Sequence, residues 1–116
     1  MDFKKWALCV IGSLFMTGCR TGSVPMPEKY LLLDVRTLEE YGAGHLFGAV
    51  LIPYDTIRER IHAVAPDKSV QVYLYCHSGG RASMARQTME KMGYNHVVNL
   101  GGIASASKKT QLQIIR

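Results

Sequence analysis

Four short apolar runs alternate with helix-like segments, and this alternation restricts the fold of the chain more than any other feature of its sequence. The runs are YLLLDV (30–35), AVLI (49–52), VQVYLY (70–75) and HVVNL (96–100). Continuously apolar runs of this kind are typical of strands that are covered on both faces. Strands that alternate with helices through short loops form mostly parallel sheets. The sequence therefore predicts an α/β fold, a small parallel sheet with helices on both faces.

Three segments between these runs have helical signals. Thr37 and Glu40 have the spacing of a capping box, which predicts a short helix that ends at the following glycines. Residues 54–65 place their apolar side chains on one face, as an amphipathic helix does. A third helix is expected over 81–92, with Gly93 as the residue that ends it. The last fourteen residues are ambiguous, and we interpret them as a short helix and a tail.

The N-terminus has the layout of a bacterial export signal. Residues 1–18 contain two lysines, then a ten-residue apolar run, then small residues before Cys19. The apolar run has about half of the ~20 residues that a membrane-spanning helix needs. The sequence MTGC at 16–19 resembles a lipobox, so Cys19 is the expected lipidation site, and several acyl chains there would anchor the protein stably. Cleavage that releases a soluble protein is the alternative.

These signals divide the chain into three parts. Residues 1–18 are the predicted lipoprotein-type signal, 19–29 a tether rich in Gly, Ser and Pro, and 30–116 a single domain. The expected location is the periplasm, with contact to a membrane only through the lipid. The alternative is a soluble periplasmic protein.

Cysteine usage and charge narrow the possible functions. Cys76 is the single thiol of the predicted domain, and an unpaired thiol in an oxidising compartment is a liability unless it is used or buried. The net charge is +5, but the basic residues are scattered and are not interleaved with aromatic ones. This pattern predicts no nucleic-acid binding and suits small anionic substrates. No Cys/His spacing resembles a zinc site, and the sequence predicts neither a metal nor a cofactor.

The segment CHSGGR (76–81) carries the strongest chemical signal. Small residues after Cys76 let the backbone curl, so that successive N–H groups point at one centre, and a helix that begins near Arg81 adds its positive end. An ordinary cysteine has a pKa of ~8.5, whereas such surroundings bring cysteines to roughly 3.5–7.5. Arg81 adds a permanent charge and a fork of donors. The loop is thus expected to stabilise a nucleophilic thiolate. A strand-to-helix turn with an incidental buried cysteine is the alternative.

Three stretches of the chain resemble the rhodanese family. They are LLLDVRTLEEYGAGHLFGAVLIP (31–53), CHSGGRA (76–82) and MGYNHVVNLGG (92–102), and the likeness covers roughly residues 28–103. The single-domain periplasmic type is the most similar. One departure is that no tryptophan follows Gly101-Gly102, which leaves one wall of the substrate pocket undetermined.

The resemblance implies a thiosulfate sulfurtransferase. The Cys76 thiolate would attack the outer sulfur of thiosulfate, release sulfite and carry a persulfide, whose sulfur cyanide or a thiol would accept. The resemblance also implies roles for other residues, as catalytic partner or in substrate binding. Arg81 would be the catalytic partner, and the substrate-binding residues would be His77, Ser78, Gly79, Gly80, Asp34 and Arg36. Asp34 and Arg36 have an equally good interpretation as residues that pin the loop.

Three other functions stay open at the level of sequence. Phosphatases and arsenate reductases of the cysteine-arginine type place five residues between the two, whereas four stand between Cys76 and Arg81. A non-catalytic rhodanese-like binding module commonly lacks the cysteine that this chain has. A sulfur relay, with a partner protein's thiol as acceptor, cannot be separated from small-molecule transfer by sequence.

Overall fold

A computed structural model describes residues 24–116. The predicted signal (1–18) and the expected lipidation site, Cys19, lie outside the described residues. In chain order the elements are β1 (Leu31–Asp34), α1 (Leu38–Ala43), β2 (His45–Leu46), β3 (Val50–Leu51), a 3₁₀ turn (Tyr54–Thr56), α2 (Ile57–Val64), β4 (Val72–Cys76), α3 (Gly80–Lys91), β5 (Val97–Gly102), α4 (Ile103–Thr110) and β6 (Ile114–Ile115). No helix within residues 24–116 is long and apolar enough to cross a membrane.

Four of the strands form the predicted parallel sheet. Their order is β3-β1-β4-β5, so β1 and β4 are central and β3 and β5 are the edges. The prediction of a buried strand at 49–52 is wrong in one respect. Only Val50 and Leu51 pair with β1, and Val50 is exposed because β3 lies at the edge of the sheet.

Helices cover both faces of the sheet, as predicted, because alternate strand residues point to opposite sides. One core, which contains Leu33 and Leu74, packs against α2 and α3. The other core contains Leu32 and Tyr73 and packs against α4, which contributes Ala106. The helix predicted at 54–65 begins as the 3₁₀ turn and continues as α2, and α3 ends before Gly93, whose φ of +102° suits glycine.

The two ends of the described chain are more ordered than the sequence suggested. The backbone N–H of Val24 donates to the Lys109 carbonyl (2.6 Å), and Val24 and Met26 pack against the core on the α4 side. The predicted tether at 19–29 therefore does not extend freely to its end. After α4 the chain forms β6, which pairs antiparallel with β2, where we had expected a tail.

A buried ion pair joins the end of β1 to its surroundings. Asp34 is fully buried and Arg36 is 6 % exposed. Asp34 Oδ1 accepts from the backbone N–H and Nε of Arg36, at 3.0 and 2.9 Å, and Oδ2 accepts from Arg36 Nη2 at 2.7 Å. The Tyr75 hydroxyl donates to Asp34 Oδ2 (2.9 Å) and accepts from the Leu46 backbone N–H (2.9 Å). The pair thereby ties β1, β4 and β2 together at the carboxyl end of the sheet.

Replacing Asp34 by asparagine should destabilise the fold strongly. The Arg36 guanidinium would remain buried without its counter-charge, and breaking a buried pair in this way typically costs about 3–5 kcal/mol. Urea unfolding followed by circular dichroism measures the change. Asp55→Asn is the matched control, since Asp55 is exposed and should change the free energy of unfolding by less than about 0.5 kcal/mol. Equal effects of the two substitutions would contradict the structural role of Asp34.

Candidate active site

Cys76 is the last residue of β4, at the carboxyl end of a central strand, where ligands of parallel sheets bind. Its side chain is almost fully buried, at 1 % exposed. Gly79 has a φ of +103°, which glycine adopts without strain, and its backbone N–H donates to Cys76 Sγ at 2.8 Å. The segment 77–79 therefore curls back over the sulfur, and at least one amide of the loop points at it.

Helix α3 adds the positive end of its dipole to the same place. Its N-cap residue is Gly79, and no side chain caps the helix. The first N–H groups of a helix have no partner within the helix, so an uncapped N-terminus favours a nearby anion. The sulfur thus lies at the start of a helix whose first amides are not engaged by any side-chain cap.

The end of β5 supports the loop from the neighbouring strand. The register pairs Cys76 with Gly102. A Cβ atom at Gly102 would overlap the carbonyl oxygen of His77, although the φ of Gly102, −78°, is ordinary. Glycine is therefore required at position 102, because the backbone of β5 approaches the backbone of His77 closely there. The sequence motif alone did not give this reason for the second glycine.

Asn99 is a supporting residue to which the sequence analysis assigned no role. Its side-chain amide donates to the Gly79 carbonyl (3.2 Å), and its Oδ1 accepts from the Gly101 backbone N–H (2.8 Å). It thus links the loop after Cys76 to the carboxyl end of β5. The only signal in the sequence was an asparagine two residues before the double glycine.

Arg81 is bound by a partner that the sequence analysis identified only as a helix-capping residue. Its Nη1 and Nη2 donate to Oε1 and Oε2 of Glu40, at 2.8 and 3.0 Å. The hydrogen bond from Arg81 is the largest cause that lowers the pKa of Glu40 to about 2, and the same bond raises the pKa of Arg81. The guanidinium fork that we had expected to face the loop is therefore occupied by a carboxylate from α1.

The predicted capping box of α1 is present and involves the same carboxylate. The Thr37 hydroxyl accepts from the Glu40 backbone N–H (3.2 Å), and Glu40 Oε1 accepts from the Thr37 backbone N–H (3.1 Å). Glu40 therefore binds the start of its own helix and Arg81 of α3 at once.

A cleft of about 400 Å³ opens beside the loop. Its lining includes Arg36, Glu40, Gly44, His77, Ile103 and Ile114. Of the predicted substrate-binding residues, Arg36 and His77 line this cleft, whereas Asp34 is enclosed behind Arg36. The apolar side chains that line the cleft include Ile103, which directly follows the double glycine, and Ile114 of β6.

The remaining predicted site residues are exposed. Ser78 and Gly80 are exposed in the loop and at the start of α3. His45 stacks on Tyr41, with ring centroids 3.7 Å apart, and is therefore a packed residue. Within residues 24–116, no three His, Cys, Asp or Glu side chains are grouped to hold a metal ion.

Replacing Gly102 by alanine should displace the loop that follows Cys76 (77–79). The new methyl group would collide with backbone atoms of His77, and overpacking of this kind typically costs about 1–3 kcal/mol. Thermal unfolding and the rate of Cys76 alkylation measure the two consequences. Gly42→Ala is the matched control, because it lies in α1 with no atom within 4 Å of the added Cβ. A Gly102→Ala protein with unchanged stability and alkylation rate would show that the loop does not depend on this contact.

Comparison with protein families adds an independent finding. Residues 25–109 match the model of the rhodanese-like domain. The chain is 41 % identical over 81 residues to thiosulfate sulfurtransferase PspE of Escherichia coli, covering 70 % of this chain and 78 % of that protein. It is 38 % identical over 77 residues to the putative sulfur carrier protein YrkF of Bacillus subtilis, covering 66 % of this chain and 40 % of that protein.

Solved structures show the same architecture. A structure described as rhodanese with anions from E. coli superposes with a TM-score of 0.68 at 34 % identity, covering 75 % of this chain and 98 % of that one. Thiosulfate sulfurtransferase from Pseudomonas aeruginosa superposes with a TM-score of 0.69 at 27 % identity, covering 76 % of this chain and 17 % of that larger one.

Proposed function

This chain belongs to the rhodanese-like family of sulfurtransferases, and from that premise we propose that it moves the outer sulfur of thiosulfate to a thiophilic acceptor through a persulfide on Cys76. The observation that carries the proposal is the bond from the Gly79 amide to Cys76 Sγ at the uncapped start of α3. A sulfur atom held there is stabilised as an anion, and an anionic sulfur is the form that acts as a nucleophile.

The proposed reaction has two displacements at sulfur. In the first, the Cys76 thiolate attacks the outer sulfur of thiosulfate, an S–S bond forms to the protein, and sulfite leaves with the electron pair of the broken bond. In the second, an acceptor thiolate or cyanide attacks the outer sulfur of the persulfide. The Cys76 thiolate then leaves and the site is restored, with a persulfide or thiocyanate as product. Neither step requires a cofactor or a change in net oxidation.

The loop and the cleft have separate tasks in this proposal. Backbone amides of residues 77–81 hold the charge on the transferred sulfur, as the Gly79 amide holds Sγ. Arg36 and His77 line the cleft through which the donor and acceptor approach. Asp34, which is buried and bound to Arg36 and Tyr75, positions Arg36 and does not contact substrate.

A sulfur relay is the second candidate, because one relative is named a putative sulfur carrier protein. The chemistry at Cys76 is the same, and only the acceptor differs, as a thiol on another protein. For a phosphatase or arsenate reductase the loop is short, since four residues separate Cys76 from Arg81 where those enzymes have five.

Sulfur loading of Cys76 tests the proposed function. After incubation with thiosulfate, the tryptic peptide 69–81 should gain the mass of one sulfur atom, and dithiothreitol should remove it. Cys76→Ser should abolish sulfur uptake and turnover of thiosulfate with cyanide. Arg81→Ala should slow loading by less than about tenfold, because the loop amides persist and the Arg81 guanidinium is already paired with Glu40. Cys19→Ser is the matched control and should load normally. Sulfur uptake by the Cys76→Ser protein would overturn the assignment.

We also propose that the protein is exported to the periplasm and anchored by lipid on Cys19, on the strength of its lysine-rich start, apolar run and MTGC sequence. Mass spectrometry of the membrane fraction should find an N-terminal peptide that begins with modified Cys19. Cys19→Ser should move the protein out of that fraction. An unmodified peptide that begins elsewhere would contradict the lipid anchor.

A further inference from the structure

We propose that Glu40 is a positioning residue that holds the Arg81 guanidinium and offsets its positive charge beside Cys76. The Cys76 thiolate is then less stable than it would be beside an unpaired Arg81. Only the consequence for sulfur transfer rests on the proposed function. The effect on ionisation of the thiol concerns this site whatever reaction it performs.

The geometry shows that Glu40 is held in place as the partner of Arg81. Both of its carboxylate oxygens accept from Arg81, at 2.8 and 3.0 Å, in the parallel arrangement that is strongest for an arginine and a carboxylate. Two donors of Thr37, the backbone N–H and the hydroxyl, also bind Oε1, at 3.1 and 3.2 Å. The carboxylate is therefore held from α1 while it holds Arg81 of α3. Because the pKa of Glu40 is lowered to about 2, the pair is charged throughout the range in which a thiol titrates.

The charges around the sulfur show why this pair matters. Arg81 lies in the first turn of α3, two positions after Gly79, whose backbone N–H donates to Cys76 Sγ at 2.8 Å, so this guanidinium belongs to the turn that adjoins the sulfur. Arg36 is already neutralised by buried Asp34. Glu40 offsets Arg81 in the same way, which leaves the loop amides and the α3 dipole as the main stabilisers of the anion. Beside Arg36 and Arg81, the titratable and charged groups that interact with either arginine or line the cleft are Asp34, Glu40, Tyr54, Tyr75, His77 and Arg116, and Lys109 approaches the Leu100 carbonyl at the end of β5.

A moderated positive charge suits a sulfur that must both attack and be released. Nucleophilicity of a thiolate falls as the anion becomes more stable, so a site with a free guanidinium would form more thiolate of lower reactivity. An unpaired guanidinium would also retain an anionic product such as sulfite. Pairing Arg81 with Glu40 keeps its donors near the loop and limits both effects.

Substitution of Glu40 by glutamine tests the proposal in the full-length protein. Glutamine retains a carbonyl oxygen for Thr37 and for one N–H of Arg81 but removes the negative charge. The inflection of the alkylation rate of Cys76 against pH, measured with neutral iodoacetamide on the Cys76-containing tryptic peptide, should fall by about half a unit. At a pH below the inflection this corresponds to about a threefold rise in the thiolate fraction and about a twofold rise in the alkylation rate, because the more stable thiolate is less nucleophilic. The shift should shrink in 1 M salt, where the screening length is about 3 Å.

Glu39→Gln is the matched control, because Glu39 lies beside Glu40 in the first turn of α1 and makes no bond to Arg81. It should leave the inflection within error of the wild type. Arg81→Gln should raise the inflection by a similar amount, since the charge of Glu40 would then be unopposed, and the double variant should return close to the wild-type value. If Glu40→Gln fails to fold, as judged by circular dichroism, the comparison of Arg81→Gln with the double variant decides the question, because these two proteins differ only in the charge at position 40.

An inflection in folded Glu40→Gln that equals or exceeds the wild-type value would overturn the proposal, as would an unchanged inflection in Arg81→Gln. Iodoacetamide alkylation needs no sulfur donor. A shifted inflection in a protein that never loads sulfur would therefore refute the proposed function and leave the role of Glu40 intact.

Discussion

The site depends on the close approach of two backbones, those of the loop after Cys76 and of the end of β5. The absence of a side chain at Gly102 lets the carbonyl of His77 lie against it, and Asn99 binds the Gly79 carbonyl from the same strand. With the loop in this position the Gly79 amide reaches Sγ at 2.8 Å. Cys76, its hydrogen bond and the start of α3 are therefore placed by a steric fit at the carboxyl end of the sheet.

The other side of the site is held by charge. Asp34, Arg36 and Tyr75 form one buried network that reaches the Leu46 backbone N–H of β2, so the wall of the cleft is tied to the two central strands. Such a network is costly to bury and costly to break, because each member relies on the others for its hydrogen bonds. It explains why an aspartate and an arginine stand at the end of an otherwise apolar run.

Two pairs of an arginine and a carboxylate stand at the site, and they have a common effect. Arg36 is bound by Asp34 and Arg81 by Glu40, each through two nitrogen donors. The guanidinium groups thus act as rigid braces between elements as much as sources of positive charge. What remains to stabilise an anion at Cys76 is mainly the backbone, through the Gly79 amide and the uncapped start of α3.

The sequence by itself determined the features that depend on neighbours along the chain. Apolar runs and helical periodicity predicted the parallel sheet with helices on both faces, the Thr37–Glu40 spacing predicted the capping box, and CHSGGR predicted a curl around Cys76 followed by a helix. Tertiary structure alone decided what meets across the fold. It paired Arg81 with Glu40, 41 positions away, placed Asn99 under the loop, packed Val24 and Met26 on the core, and formed β6 from the C-terminal segment. Local patterns report backbone conformation and burial, whereas the partner of a side chain is set by which elements the completed sheet brings side by side.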